Sequence, residues 1–166
     1  MKKILLFLAI VLVLVSCATS GETAARKKME KQEMARKVNE AITNRHFKVN
    51  VNMVLPMGGS PISPSTLYSV TIAGDSINSY LPYFGRAYDI PYGGGKGLNF
   101  EGTIGQYSHG VNARKGEHQV TLYVENEEDI YRYDFSIFDN GSASIDVIAR
   151  KRNPISYTGY LDLDGE

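Results

Sequence analysis

Cysteine, histidine and long apolar runs are all scarce in this 166-residue sequence. The single cysteine, Cys17, cannot form an internal disulfide, which excludes a fold held together by disulfide bridges. The three histidines, His46, His109 and His118, lack the close spacing typical of zinc sites, so we expect no metal or other cofactor. The longest apolar run, residues 4–15, is shorter than the about 20 residues of a membrane-spanning helix. The sequence therefore predicts neither a disulfide scaffold nor a transmembrane helix.

A large charge of either sign is also absent, because 18 basic and 18 acidic residues give a formal net charge of zero. That balance hides a division along the chain. Residues 22–45 contain seven basic and four acidic side chains, whereas residues 46–166 contain nine basic and fourteen acidic ones, a net charge of −5. Binding of nucleic acid needs clustered cations that neutralise phosphates. We therefore expect no nucleic acid partner for the acidic part of the chain.

The first residues have the layout of a secretory signal peptide. Lys2 and Lys3 precede an uninterrupted apolar stretch, which ends in Leu14-Val15-Ser16-Cys17. This tetrapeptide resembles the lipobox of bacterial lipoproteins. The resemblance implies that residues 1–16 are removed, that Cys17 carries a diacylglycerol and that the new amino terminus is acylated. We expect several acyl chains to anchor the protein stably to a membrane. The alternative is a simple secreted protein with a buried free cysteine.

The residues after the cysteine bear on location within the envelope. Ala18 stands where an aspartate would signal retention at the inner membrane, so the resemblance to lipoprotein sorting rules implies the outer membrane. Lipoproteins exported to the cell surface often carry an acidic cluster directly after the cysteine, and residues 18–22 contain a single acid, Glu22. We therefore expect an outer membrane lipoprotein that faces the periplasm.

A short tether and one helix are predicted between the anchor and the domain. Residues 17–21 are small and polar, and residues 22–45 are rich in helix formers and lack glycine and proline. One face of this helix is apolar, with Met34, Val38, Ala41 and Ile42 at helical spacing. The polar first half predicts a solvated stalk, and the second half predicts a helix docked on the domain. The alternative for the first half is a basic segment lying on anionic lipid headgroups.

From His46 onward the period of apolar residues changes to two, which is typical of strands. Asp139-Asn140-Gly141 predicts a hairpin with a type I′ turn, and Pro154 opens a last, edge strand. We therefore predict an α+β fold, with the amino-terminal helix packed on an antiparallel β-meander of about six to eight strands in residues 46–166. The predicted strands are residues 47–55, 67–73, 98–104, 111–114, 118–125, 131–137, 143–149 and 155–161.

The stretch Tyr80-Leu81-Pro82-Tyr83-Phe84-Gly85-Arg86-Ala87-Tyr88 fits neither period. It resembles the signature of a bacterial family, domain of unknown function 4251, which consists of Bacteroidota lipoproteins of this size and layout. The downstream hairpin at Phe138-Asp139-Asn140-Gly141 and the late stretch Ile155-Ser156-Tyr157-Thr158-Gly159 are also similar to the family. The resemblance covers about residues 30–160. It implies a location and an approximate architecture, and it carries over no catalytic residue.

Two interpretations of this signature remain open. The first is an aromatic platform with a cation, beside a glycine-rich lip at Gly93-Gly94-Gly95-Lys96-Gly97, that binds a glycan, a peptide or an envelope protein. The second is a structural plug, in which aromatic rings close one end of the sheet and Arg86 pairs with an acid such as Asp75 or Asp89. The candidate binding residues are Tyr80, Tyr83, Phe84, Arg86, Tyr88 and Tyr92.

Two other functions are alternatives to a binding module. Gly74-Asp75-Ser76 is similar to the nucleophile block of a lipase and esterase family, in which an Asp-x-x-His supplies the base. Neither His109 nor His118 has an aspartate three residues earlier, so a turn is the better interpretation, and an enzyme is not favoured. The other alternative is a structural subunit of an envelope complex. The sequence predicts a lipid-anchored envelope lipoprotein, of unknown activity, that binds a partner through residues 80–97.

Overall fold

The computed structural model describes residues 2–89 and 97–163, with side chains from residue 23 onward. The chain divides into two compact units, one ending at Met34 and one starting at Ala35. In the first unit, the chain belongs to helix α1 (Lys2–Thr43). Side chains 23–34 are exposed, and Arg26 Nε lies 3.0 Å from Glu30 Oε1 one turn away. Among the described residues, no helix contains an apolar stretch long enough to cross a membrane.

In the second unit, the last turns of α1 lead into a β domain. Of the predicted apolar face, Val38 and Ile42 are fully buried in the hydrophobic core and Ala41 packs against it, whereas Met34 is exposed. After the helix, Arg45 has a positive φ of 52°, a conformation that costs energy for a residue with a side chain. Three contacts hold it: its guanidinium lies 2.9 Å from Asp75 Oδ1 and 4.4 Å from the ring centre of Tyr107, and its carbonyl accepts from Gly74 N. Arg45 thereby fixes the point at which the helix meets the strands.

The described residues contain eight strands, which form a closed antiparallel barrel in the order β1 to β8. In most of these strands an alternating apolar pattern places one face inside the barrel and the other in solvent, whereas residues 105–112 are largely exposed. The strands are β1 (His46–Pro56), β2 (Tyr68–Ala73), β3 (Ser76–Leu81), β4 (Leu98–Asn112), β5 (Glu117–Glu125), β6 (Ile130–Phe138), β7 (Ser142–Ala149) and β8 (Ile155–Asp162).

The predicted fold, an open meander with a helix packed on it, is therefore wrong. The sheet closes because β8, predicted to be an edge strand, pairs along its length with β1, from Pro56–Ile155 to Lys48–Asp162. Closure removes both sheet edges, so the inward faces of all strands bury one another. The period of two shows only that each strand has one buried face. It cannot distinguish a sheet covered by a helix from a sheet closed on itself.

Two strands also differ from the prediction. Ser76–Leu81 was not recognised as a strand, because it runs into the aperiodic signature. Residues 98–104 and 111–114 were predicted as two strands, but residues 98–104 and 111–112 belong to one long strand, β4, and residues 113–114 lie in the turn after it. Its first part pairs with β3 and its second part with β5, and the register shifts between Ile104 and Gln106. The shift staggers neighbouring strands, which a barrel of tilted strands requires.

The hairpin predicted between β6 and β7 is present, but its turn is of another type. Gly141 N donates to the carbonyl of Phe138 at 2.8 Å, and Gly141 has a φ of 82°. Asn140 does not have a positive φ, which a type I′ turn would require. Residues 139–141 instead form a three-residue loop in which the last residue, Gly141, has the left-handed conformation, as in hairpins with a glycine bulge.

The core contains three large tyrosines whose hydroxyls all find partners. Tyr133 donates to Ser79 Oγ at 2.9 Å, Tyr157 donates to the carbonyl of Pro82 at 2.7 Å, and Tyr131 lies 3.4 Å from the carbonyl of Gly97. All three side chains are fully buried. Burial raises the pKa of each of these tyrosines, because the phenolate would lose its hydration.

These buried tyrosines predict that the barrel unfolds at alkaline pH. In the unfolded chain a tyrosine loses its proton near pH 10, while the folded barrel holds the proton to higher pH. Above pH 10 the unfolded state therefore binds fewer protons, and the free energy of unfolding falls by up to about 1.4 kcal/mol per pH unit for each such tyrosine. Urea unfolding followed by circular dichroism between pH 8 and 12 measures this slope.

Phenylalanine substitutions test which tyrosines cause the alkaline loss. Above pH 10, Tyr133→Phe is expected to make the free energy of unfolding fall less steeply with pH, by up to about 1.4 kcal/mol per pH unit, which corresponds to one proton. This change in slope is independent of any effect of the substitution on stability at neutral pH. The matched control is Tyr160→Phe, because the Tyr160 side chain is exposed on β8. An equal slope in the two variants would contradict the assignment of the effect to buried tyrosine.

Candidate functional site

The signature lies at one end of the barrel, where four connections meet. Since consecutive strands alternate in direction, the β1–β2, β3–β4, β5–β6 and β7–β8 connections lie at the same end. We call this the signature end, and use the name for the residues of three of these connections, 82–89 with Gly97, 126–129 and 150–154. The helix enters the barrel at the opposite end, before β1. Tyr92 and residues 93–96, which were predicted to take part in the site, lie outside the described residues.

The first part of the signature enters the core. Leu81 ends β3 with its side chain fully buried, and Pro82 is buried beside it. The carbonyl of Pro82 accepts a hydrogen bond from Tyr157 inside the barrel. Leu81 and Pro82 therefore fasten the start of the β3–β4 connection to the interior.

Tyr83 is half-buried and holds the following turn together. Its hydroxyl lies 3.0 Å from the carbonyl oxygens of both Arg86 and Asn153 and donates to one of them at a time. Burial raises the pKa of Tyr83, and the nearby Arg152 guanidinium partly offsets that rise. A Cβ at Gly85 would lie 2.5 Å from the Tyr83 hydroxyl, so only glycine lets this hydroxyl approach so closely. Tyr83 therefore acts mainly as a structural anchor.

The second part of the signature pairs with the β7–β8 connection as a short extra ladder. Tyr88 N donates to the carbonyl of Lys151 at 2.7 Å, and Asn153 N donates to the carbonyl of Arg86 at 2.9 Å. Side chains add to this ladder, since the Tyr88 hydroxyl hydrogen-bonds Asn153 Oδ1 and Lys151 Nζ lies 3.1 Å from Asp89 Oδ2. The backbone of residues 86–89 is therefore held in place although it lies in a loop.

Arg152, which no sequence motif marks as a site residue, lies at the centre of this end. Its side chain is only 7% exposed, and its guanidinium lies 5.4 Å from the ring centre of Tyr83 and 5.8 Å from that of Tyr131. The nearest carboxylate oxygens are those of Glu128 at 3.5 Å and Asp129 at 3.8 Å. A buried arginine needs such partners, because an uncompensated charge in the interior is costly.

Asp129 joins the β5–β6 turn to the β7–β8 connection. Its carboxylate accepts hydrogen bonds from the backbone N–H groups of Ile130, Arg150 and Lys151, at 2.8, 3.1 and 3.0 Å. The side chain is 1% exposed. One sequence signal could have predicted the pairing of Asp129 with Arg152. An acidic run, residues 125–129, and a basic run, residues 150–152, lie in connections that a meander brings to the same end.

Four of the predicted binding residues have exposed side chains, namely Tyr80, Phe84, Arg86 and Tyr88. The exposed fractions are 46% for Phe84 and 66% for Tyr88, and Arg86 is also exposed. Tyr80 points outward from β3, and its ring centre lies 5.1 Å from that of Tyr68. Tyr83, by contrast, belongs to the structural part of the signature.

The acids considered as partners of Arg86 are paired with other residues. Asp75 contacts Arg45 at the other end of the barrel, and Asp89 contacts Lys151. Within residues 23–89 and 97–163, the structure gives the Arg86 guanidinium no ion pair. The interpretation of the signature as a structural plug therefore fits Leu81 and Tyr83. It does not fit Arg86, because the expected salt bridge is not formed.

The structure adds no support for the two other sites considered from the sequence, Ser76 and Cys17. Ser76 is exposed at the start of β3, after a turn in which Asp75 binds Arg45. In the described part of the chain, no histidine ring hydrogen-bonds the Ser76 hydroxyl, so a serine hydrolase at this position has no visible base. The side chain of Cys17 lies outside the described ones, and its lipidation stays a prediction.

The comparisons with known proteins agree with the signature. The family model of the domain of unknown function DUF4251 matches residues 29–161. The crystal structure of a DUF4251 family protein from Bacteroides eggerthii DSM 20697 is similar, with a TM-score of 0.59 and 13% identity over 77% of this chain and 86% of that one. At this identity the likeness concerns the fold alone. No curated protein matches the chain. Because the family model covers most of the sequence, the chain belongs to the DUF4251 family, as its signature predicted.

Proposed function

We propose that this protein is a lipid-anchored lipoprotein of the bacterial cell envelope whose barrel binds a partner through Phe84, Arg86 and Tyr88. The observation that supports a binding role is the combination of exposed side chains with a fixed backbone. Two aromatic rings and a cation project from a loop that is tied to the β7–β8 connection by backbone hydrogen bonds. A preorganised surface loses little conformational entropy on binding, and arginine and tyrosine are common among residues that dominate binding energy.

The chemistry of these side chains favours a peptide segment of an envelope protein as the partner. Arg86 offers a planar, permanently charged donor set that suits a carboxylate. Phe84 has no polar tip and suits an apolar side chain, while the Tyr88 hydroxyl is already engaged by Asn153. We infer a segment that carries an acidic residue beside an apolar one. The alternative partner is a glycan, which would use aromatic faces together with many hydroxyl contacts. Crosslinking distinguishes a glycan from a peptide partner.

The anchor in this proposal is a lipid on Cys17, which follows the basic and apolar amino-terminal stretch. We propose an outer membrane location with the barrel in the periplasm, since Ala18 follows the cysteine and residues 18–22 contain one acid. The signature end lies opposite the end at which α1 enters the barrel. Residues 84–88 are thus presented away from the point where the helix joins the barrel.

Capture by crosslinking tests the binding surface. A photoactivatable residue at position 84 or 88, in intact cells, is expected to capture a defined protein partner, which mass spectrometry of the adduct identifies. The matched control is position 111, because Val111 is 58% exposed but lies on β4 near the opposite end. Equal adducts from position 111, or glycan adducts from positions 84 and 88, would contradict the proposed peptide partner.

Alanine variants separate binding from stability. Arg86→Ala and Phe84→Ala are expected to change the free energy of unfolding by less than about 0.5 kcal/mol, because both side chains are exposed. Each is expected to weaken capture at least about tenfold, the loss typical of a residue that dominates an interface. Tyr83→Ala is expected to lower stability instead, since it removes the hydroxyl contacts to Arg86 and Asn153.

A further inference from the structure

Two histidines that lie nine positions apart in the sequence meet at the β4–β5 hairpin. Val111 pairs with His118 and His109 pairs with Val120, so the two imidazoles are diagonal neighbours on one face of the sheet. His109 Nε2 lies 3.2 Å from His118 Nδ1, and the rings are nearly parallel, 19° apart. His118 is buried, whereas His109 is exposed. One nitrogen of each ring therefore faces the other at a place that solvent can reach.

A carboxylate lies on the other side of His118. Asp139 Oδ1, in the β6–β7 turn, is 3.5 Å from His118 Nε2. Gly116 makes this approach possible, since a Cβ at that position would lie 2.5 Å from Asp139 Oδ2. The Asp139 backbone N–H also donates to the carbonyl of Gly116 at 2.8 Å. Asp139 thus favours the tautomer of His118 that carries its proton on Nε2 and leaves Nδ1 with a free lone pair.

We propose that His109 Nε2 and His118 Nδ1 bind a divalent transition metal ion, such as Zn²⁺, Ni²⁺ or Cu²⁺, with Asp139 orienting His118. Metal–nitrogen bonds of about 2.0–2.1 Å place two ligating nitrogens about 2.9–3.4 Å apart in square or tetrahedral geometry. The observed 3.2 Å lies within that range. A carboxylate on the second nitrogen of a ligating histidine is a recurrent feature of metal sites.

Few protein ligands are available at this site. Within the described residues, no group of three or more His, Cys, Asp or Glu side chains is placed to hold a metal ion. The site therefore supplies two protein ligands, and water or a small ligand completes the coordination. Such a site is open to exchange rather than a closed structural centre.

Metal titration of the full chain, without a histidine tag, tests the proposal. Zn²⁺ and Ni²⁺ are each added to metal-free protein, and binding is followed by calorimetry. One equivalent is expected to bind the wild type and to raise its melting temperature. His109→Gln is expected to lower the affinity at least tenfold, and Asp139→Asn to lower it by about 10- to 100-fold. The control His46→Gln, an exposed histidine on β1, is expected to bind as the wild type does.

The outcome that overturns the proposal is metal binding that is absent, or unchanged in His109→Gln. In that case the two rings form a hydrogen-bonded pair only. The melting temperature of the metal-free variants is measured as well, so that a loss of binding is counted only in variants that fold. The hairpin lies at the end of the barrel opposite residues 84–88. Failure of the metal site would therefore leave the proposed partner surface intact, and the reverse also holds.

Discussion

Gly159→Val is expected to lower the free energy of unfolding by at least about 3 kcal/mol, the largest effect that we anticipate for a single substitution. Gly159 lies on β8 and pairs with Val51 of β1 and Ala143 of β7. A Cβ at this position would overlap the carbonyl oxygen of Asn50 and lie 2.9 Å from its carbonyl carbon. These are backbone atoms, which cannot rotate away as a side chain can. The valine would force β8 away from β1 at the seam that closes the barrel.

Urea unfolding of the full chain, followed by circular dichroism, measures this loss. The matched control is Gly110→Ala on β4, because a Cβ there would meet no atom within 4 Å. Its stability is expected to equal that of the wild type or to exceed it slightly, since alanine restricts the unfolded chain. If Gly159→Val were as stable as Gly110→Ala, the close pairing of β1 with β8 would be wrong.

Asp129→Ala is expected to lower the free energy of unfolding by about 3 kcal/mol or more and to make the signature end less ordered. The substitution leaves three backbone N–H groups, of Ile130, Arg150 and Lys151, without their acceptor. It also removes one of the two carboxylates that face the buried guanidinium of Arg152. The three part-buried N–H groups would each lose their acceptor, and the buried guanidinium of Arg152 would lose a compensating charge.

Hydrogen exchange locates the effect of this variant. The Tyr88 and Asn153 amides, which bond across the short ladder, are expected to exchange faster in Asp129→Ala than in the wild type. Glu127→Ala is the control, because it removes the same charge from the same turn but from an exposed side chain. It is expected to change stability by less than about 0.5 kcal/mol. Equal stability of the two variants would contradict the central role of Asp129.

The loss of order at the signature end bears on the proposed function. If residues 84–88 act as a preorganised surface, Asp129→Ala should weaken partner capture even under conditions in which the barrel stays folded. Arg86→Ala should weaken capture without any change in the exchange of Tyr88. The two variants therefore distinguish a residue that contacts the partner from one that positions the surface.

Much of the strand content could be predicted because it depends on local pattern. The alternation in β1, β5 and β6 follows from side chains that point to opposite faces at every second residue. The hairpin at Gly141 was predictable because few residues other than glycine adopt a positive φ. The turn type was not, since it depends on how the flanking strands twist in the closed sheet.

The candidate site was predictable only in part, for a related reason. Tyr80–Tyr88 was recognised as unusual because it breaks the period of two, but its division into anchors and exposed residues was not visible. That division depends on Arg152 and Asp129, which reach the signature from connections that are distant in the sequence. Likewise, His109 and His118 are nine positions apart in the sequence, and only the register of β4 and β5 brings their rings together.

By itself the sequence determined the strand pattern, the break at the signature, membership of the DUF4251 family and the expectation of a lipid on Cys17. All of these are properties of residue types at short spacing. Only the tertiary structure decided that the sheet is a closed barrel, because closure joins β1 to β8, about 110 residues away. It also decided which charged and aromatic side chains are buried. Burial depends on which connections meet at one end of a barrel, and no local period encodes that meeting.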